Sequence, residues 1–308
     1  MSLHTAMAPA KVNLYLHVGP PRRDGRHPLD SLVVFAGREA ADRLSARRSD
    51  EDSLELSGPY AAELEPAGNN LVLDALARLR GQVRVPPERN SPIAFDLHKV
   101  LPVAAGIGGG SADAAAALRL LTREIFELPA YVATDIAPQL GGDVLACVYS
   151  APALMRGDGD RVTPLLQGSI LDLFLRQRGG GLPALLVNPG IACPTGPVFR
   201  HYDETCSPAP LDDVPMPRVR SHDQLIDWLI RHTRNDLEAP AIDLVPEIGF
   251  LLERLQDLDG ARMARMSGSG ATCFALFDHM DDALYAQTVL MKEAPHWWVR
   301  ATRLGEGE

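Results

Sequence analysis

Lysine is nearly missing from this chain. Only Lys11, Lys99 and Lys292 interrupt the use of arginine among the 30 basic residues. Lysine offers a compact point charge where arginine brings a broad planar fork. Each retained lysine is therefore a candidate for a site that needs the compact charge. Cysteine is almost as rare: Cys147, Cys193, Cys206 and Cys273 are too far apart for any CxxC pair. That spacing excludes thiol-held zinc, haem attachment and dithiol redox chemistry. Three of the four sit in apolar stretches such as VLACVY and ATCFALF, where a small buried thiol is expected. The nine histidines include no HExxH spacing, so no metal held by the protein alone is expected. Apolar runs long enough to span a bilayer, roughly 20 residues, are also lacking. The opening MSLHTAMAPAKVNLYLHV has no basic start followed by an apolar stretch, because Lys11 falls inside the apolar part. A cytoplasmic location without membrane partners is the expectation. Positive charge is in deficit, 30 basic against 40 acidic residues for a net charge of −10. A nucleic-acid partner, which asks for a basic patch or stripe, is not expected.

What remains is ordinary globular material, 46% hydrophobic and 23% charged. At roughly 100–200 residues per domain, 308 residues predict two domains. Residues 8–18 alternate as a half-buried strand with Val12, Leu14, Leu16 and Val18 on one face. Lys11 and Asn13 fall on the opposite parity, where a solvent-facing lysine and a functional one are both open. Asp24-Gly25 marks a tight turn, and strands are predicted over 29–36, 53–56 and 93–100. Leucines at 71, 73, 76 and 79 predict a helix over 70–80. A short helix over 131–140 leads through Gly141-Gly142-Asp143 into a predicted strand over 144–149. The second half reads as a loop at 176–183, a strand over 184–190 and a proline-rich irregular excursion at 207–218. Helices over 225–232 and 248–258, a hairpin of 261–266 and 271–277 about Ser267–Gly270, and a helix over 281–293 complete the pattern. β-rich and α-rich runs mixed in this way favour an α+β layout.

The most informative stretch is LPVAAGIGGGSADAAAALRLL, residues 101–121. Four glycines in five positions cannot sustain helix or strand, whereas the alanines and leucines that follow form helix readily. A glycine loop therefore opens a helix, and its bare backbone N–H groups together with the helix dipole suit a phosphate. Ser111 can cap that helix or donate to a phosphate or a magnesium ion. No lysine precedes Ser111, which excludes GxxxxGK[ST], and Ser111 itself breaks GxGxxG. Asp143 reads equally as a solvated turn aspartate or a functional carboxylate.

PAKVNLYLHV, LPVAAGIGGGSADAAAAL, LGGDV and SGSGATCFALF, in this order, resemble the GHMP small-molecule kinases. DGRH at 24–27 and NPG…PT…VF at 188–199 resemble one branch of them, the 4-diphosphocytidyl-2-C-methyl-D-erythritol kinases. The likeness runs from about residue 9 to 278, and is poor over 38–66 and 207–258. It implies a two-domain α+β fold, with a ribosomal protein S5 domain 2-like N-terminal domain (1–165) and a ferredoxin-like α/β C-terminal domain (166–308). It implies ATP and Mg²⁺ as cofactors, and phosphorylation of the 2-hydroxyl of the cytidyl substrate on the way to isoprenoids. Lys11 and Asp143 fall on the catalytic pair. Pro102, Val103, Ala104, Ala105, Gly106, Ile107, Gly108, Gly109, Gly110, Ser111 and Ala112 fall around the ATP phosphates, and Asn70 and Lys99 at the adenine site. Asn13, His27, Thr195 and Phe199 fall on the small-molecule substrate. Arg26 departs from the pattern, standing where the family has an aromatic residue that stacks on cytosine. A guanidinium can also lie flat on a base, so cytosine is expected between Arg26 and Phe199 with His27 reading its edge. Ala112 replaces a frequent serine, and Gly142 and Leu145 stand in a turn that usually reads GADVP. Two alternatives remain: another GHMP kinase of homoserine or mevalonate type, and a nucleotide-binding regulator on the same fold that has lost catalysis. The sequence carries no signal for oligomeric state.

Overall fold

The computed structural model describes residues 2–64, 70–86, 90–165, 180–208, 210–211 and 214–305. The first strand pattern is two strands, β1 (His4–Pro9) and β2 (Lys11–Val18), broken at Ala10. They are followed by β3 (Leu29–Phe35), β4 (Ala41–Arg48) and β5 (Ser53–Ser57). Then come helix α1 (Leu71–Gln82), strand β6 (Ile93–His98), and helices α2 (Gly109–Arg119), α3 (Tyr131–Ile136) and α4 (Val144–Tyr149). Strands β7 (Ala153–Gly157) and β8 (Arg161–Pro164) close this part. After 180 follow β9 (Leu182–Asn188), α5 (Thr195–Thr205), α6 (His222–His232), α7 (Glu238–Leu244) and α8 (Glu247–Gln256). The described chain ends with β10 (Ala261–Met266), β11 (Cys273–Phe277), α9 (Met280–Glu293) and β12 (Trp298–Leu304).

Among the described residues three four-stranded sheets result, ordered β1-β4-β6-β5, β2-β3-β7-β8 and β10-β11-β9-β12. The first two draw only on residues up to Pro164 and the third only on residues from Leu182 onward. The expected boundary at 165/166 abuts residues 166–179, which lie outside the described residues, as do 176–179 of the expected loop. In the proline-rich excursion, residues 207–208, 210–211 and 214–218 form no helix or strand, as expected.

Two differences from the sequence reading bear on the site. VLACVY at 144–149 is helix α4 rather than a strand. Six apolar residues carry no period to choose between the two. The choice falls to packing, which buries Val144, Ala146, Cys147 and Val148 in one core with α1 and α2. The helix places Asp143 at its N-terminal end. The second difference is β2, which is buried along its whole length, Lys11 included at 4% exposure. Alternation predicted one wet face, but core packs on both sides of this strand. Lys11, Asn13, Tyr15 and His17 on the other parity are all buried, and Tyr15 joins the same core as Val12 and Leu14. Leu16 N–H also donates to Arg234 O at 2.9 Å, fastening β2 to the later half of the chain.

Local signals elsewhere hold. Asn70 caps α1 by accepting from Val72 N–H at 2.9 Å, although the buried stripe is Val72, Ala75, Leu76 and Leu79 rather than the leucines alone. The hairpin about Ser267–Gly270 forms from antiparallel β10 and β11. Asp24-Gly25 turns as expected, with Gly25 at φ +78° and its N–H donating to Arg22 O at 3.0 Å.

Candidate active site

Lys11 opens β2 and Asp143 ends the turn before α4, and the fold brings them to one ion pair, Nζ to Oδ1 3.1 Å. The lysine side chain is buried and the carboxylate is 37% exposed, so only Asp143 faces the cleft broadly. Lys11 also donates to Asn13 Oδ1 at 3.0 Å. Asn13 Nδ2 donates to Ser31 Oγ at 2.8 Å, and Ser31 donates to Tyr15 O at 2.6 Å. This chain of bonds fixes which way the Asn13 amide points. Two N–H groups of the Lys11 ammonium are thereby engaged, and the third has no acceptor among the described residues.

The glycine loop lies against this pair. Gly108, at φ +64°, precedes α2, and the first helical bond runs from Ala112 N–H to Gly108 O at 2.8 Å. The amides between them belong to the open first turn of a helix, where an anion is favoured. A Cβ on Gly108 would lie 3.4 Å from Lys11 Cε and 3.6 Å from Asp143 Oδ2, so loop and ion pair share one wall. The loop is interlocked with the hairpin turn some 160 residues later: a Cβ on Gly106 would come within 2.5 Å of Gly270 O and 2.7 Å of Ser267 O. Lys11 N–H donates to Ile107 O at 2.9 Å, and Thr272 N–H to Ala105 O at 3.2 Å. Gly106 needs both the left-handed φ of +73° and the missing side chain. Gly106→Ala is therefore expected to lower stability by about 2 kcal/mol or more, read by chemical denaturation. Unchanged stability would contradict the interlock.

Together these elements wall a cleft of about 390 Å³. Of the loop residues named from sequence, Ala104, Ala105, Gly106, Gly108, Gly109, Gly110 and Ser111 line it. Pro102, Val103, Ile107 and Ala112 do not. Ile107 and Ala112 turn into the core, and the Ala112 amide is already spent in the helix. Gly108 is the residue that precedes and caps α2, so Ser111 does not cap it; its hydroxyl remains at the cleft. Lys99 is a correction: its side chain is 1% exposed and turned beneath the loop, onto Asp42 and Asp113, away from the cleft. Asn70 is likewise occupied as the cap of α1, while its neighbour Leu71 lines the cleft.

At the other end, Thr195 and Phe199 line the cleft, and Thr195 Oγ1 bonds Ser269 Oγ at 2.8 Å. The expected arrangement of Arg26 and His27 is not the one found. The Arg26 side chain is 71% exposed and lies 3.7 Å from Asp158, not over Phe199. His27 itself packs on the Phe199 ring, centroids 5.2 Å apart. Its Nδ1 donates to Gly19 O at 2.9 Å and its Nε2 lies 3.2 Å from Asp203, so neither nitrogen is turned to the cleft. The physical reason is local. The hairpin turn ties Arg22 and Arg26 to Asp158, and helix α5 presents Asp203 to the imidazole.

Ser31, Asp158 and Ser269 line the cleft without having been named from sequence. Ser31 had a signal, a hydroxyl directly before the apolar run LVVF, but the other two sit in turns where polar residues are routine. Cys147, Cys193 and Cys273 are buried, which makes them poor nucleophiles. Burial, helped by the Asp143 charge, pushes the Cys147 thiol up to about 12. Burial also raises Cys193, whose Sγ donates to Ser269 O. Among the described residues no group of three His, Cys, Asp or Glu could hold a metal alone, and no helix is long and apolar enough to cross a membrane.

A buried ammonium paired with a half-exposed carboxylate, facing an anion-seeking helix start, suits phosphoryl transfer to a hydroxyl. Family models agree: the GHMP kinases N terminal domain matches residues 70–151 and the GHMP kinases C terminal matches 218–290. A 4-diphosphocytidyl-2-C-methyl-D-erythritol kinase of Hyphomonas neptunium is 48% identical over 97% of this chain and 95% of its own. The chain belongs to that kinase family. A relative of the same name from Methylobacterium radiotolerans is 45% identical, covering 99% of this chain and all of its own. A solved 4-(cytidine 5'-diphospho)-2C-methyl-D-erythritol kinase superposes with a TM-score of 0.74 at 31% identity, over 99% of this chain and 100% of its own. A homoserine kinase from Cytophaga hutchinsonii, at 16% identity and a TM-score of 0.63 over 99% of this chain and 96% of its own, shares the fold. The fold is thus the two-domain α+β fold of GHMP kinases.

Proposed function

We propose that this chain transfers the γ-phosphoryl group of ATP to the 2-hydroxyl of 4-diphosphocytidyl-2-C-methyl-D-erythritol. The observation that carries the reading is the Lys11–Asp143 pair, 3.1 Å apart on the cleft wall that Gly108 shares. Asp143 accepts the hydroxyl proton as the substrate oxygen bonds phosphorus and the bond to the β-phosphate oxygen breaks, releasing ADP. Lys11 orients that oxygen and offsets the charge building on the transferred group. Gly106 and Gly108–Ser111 bind the phosphates through backbone N–H groups. The oxygen donors present fit Mg²⁺, which takes most of its ligands from phosphates and water. The Ser111 hydroxyl would hold it, and the ion would neutralise phosphate charge. Phe199 and Thr195 take the cytidyl end, and Asn13 keeps the ammonium aimed. The family's name supports the substrate, and the 42–48% identity of its members over nearly the whole chain supports the reaction.

A panel of hydroxyl substrates with coupled ADP release tests the reading. Turnover is expected on the cytidyl substrate and not on homoserine or mevalonate. Preference for either of those two, or ATP binding without turnover on any of the three, would overturn it.

A further inference from the structure

The structure buries a second set of charges that the reaction does not use. Asp42 on β4 is 0% exposed, Lys99 just after β6 is 1% exposed, and Asp113 on α2 is 3% exposed. Lys99 Nζ pairs with Asp42 Oδ2 and, at 2.8 Å, with Asp113 Oδ2. Asp42 Oδ1 accepts from the N–H groups of Val100 and Leu101 at 2.6 and 2.8 Å. These contacts bracket the glycine loop. Val100 and Leu101 enter it, and Asp113 lies one turn into the helix that leaves it. Lys99 joins the two ends from beneath: a Cβ on Gly109 would lie 3.1 Å from its Nζ.

A loop of this composition has little means of holding its own shape, because glycine loses the most conformational freedom on ordering. A buried ion cluster is also a poor device for stability alone, since apolar residues of similar volume commonly serve as well. Its placement points to shape. We infer that Asp42, Lys99 and Asp113 are positioning residues, a buried brace that holds the loop in the form that accepts the ATP phosphates. The inference rests on the assignment of that loop to ATP. The chemistry of the brace supports it. Asp113 Oδ1 is buried with no partner among the described residues. Burial pushes this carboxyl up to about 7 against the pull of Lys99, and the nearby Asp42 charge adds to the rise. Lys99 keeps its own charge, as Asp113 and Asp42 together outweigh the effect of burial.

The test is steady-state kinetics of the full chain with both substrates varied. Asp113→Ala is expected to raise KM for ATP about tenfold or more, with KM for the cytidyl substrate and kcat at saturating ATP little changed. Asp113→Asn keeps an oxygen for Lys99 and is expected to restore most of the ATP affinity. Should Asp113→Ala not fold, Asp42→Asn serves. It keeps its size and its bonds to Val100 and Leu101, turns an amide N–H toward Lys99, and is expected to raise KM for ATP in the same way. A parallel rise in both KM values, or lower stability with KM for ATP unchanged, would overturn the brace while leaving the wild-type activity standing. A wild-type chain that does not bind ATP would overturn the loop assignment and the brace with it.

Discussion

Asp143→Asn is expected to keep ATP binding and lose turnover by about 10²-fold or more, the scale of a general base. The amide has nearly the shape of the carboxylate and can still accept from Lys11 through its oxygen, so the cleft keeps its form. What it loses is the capacity to take the hydroxyl proton. The carboxylate bonds no side chain but Lys11 among the described residues and its side chain does not cap α4. Because the amide leaves the buried Lys11 ammonium without a counter-charge, thermal unfolding is measured beside the kinetics. A fall in kcat with KM for ATP unchanged is the expected split, measured at saturating concentrations of both substrates. Near-normal turnover would remove Asp143 from the mechanism.

Lys11→Arg is expected to fail as well, by roughly 10²-fold in kcat, although it conserves charge. The ammonium sits in a buried slot between Asn13 Oδ1 at 3.0 Å and Asp143 Oδ1 at 3.1 Å. Its Cε and Cβ lie 3.4 and 3.5 Å from where a Cβ on Gly108 would stand. A guanidinium is longer, planar and wider, and would displace either Asn13 or the loop that carries the phosphates. Thermal unfolding distinguishes a misshapen site from an unfolded chain. A well-folded arginine variant with full activity would show that the slot accepts either cation.

Lysine scarcity singled out Lys11, and the glycine loop was legible because four clustered glycines before an alanine-rich helix leave little local choice. Three things were not legible. Alternation left Lys11 and Asn13 open between a solvent-facing and a functional role, because parity can tell two faces apart but not whether both are covered. The apolar VLACVY gave no period, so the turn that carries Asp143 was read as leading into a strand and not a helix. Asp42 lies in ADRLSARR, where nothing marks a carboxylate destined for a loop some sixty residues onward. Contacts of that range, like Gly106 against Gly270, are properties of the tertiary fold. Lys99 shows the same limit in reverse. Its rarity was a correct signal of a site needing a compact ammonium, but the site is the brace beneath the loop and not the cleft. The likeness over DGRH put Arg26 and His27 at cytosine, yet Asp158 and Asp203 decide where the two side chains point.

The central claim is that the Lys11–Asp143 pair directs phosphate to one hydroxyl of the cytidyl substrate. The most direct measurement is two-dimensional ³¹P–¹H and ¹³C NMR of the product formed from ATP and 4-diphosphocytidyl-2-C-methyl-D-erythritol. A single new phosphomonoester coupled to the carbon bearing the 2-hydroxyl, formed with one equivalent of ADP, is the predicted result. Phosphate on any other hydroxyl, or ADP release without a new phosphoester, would contradict it.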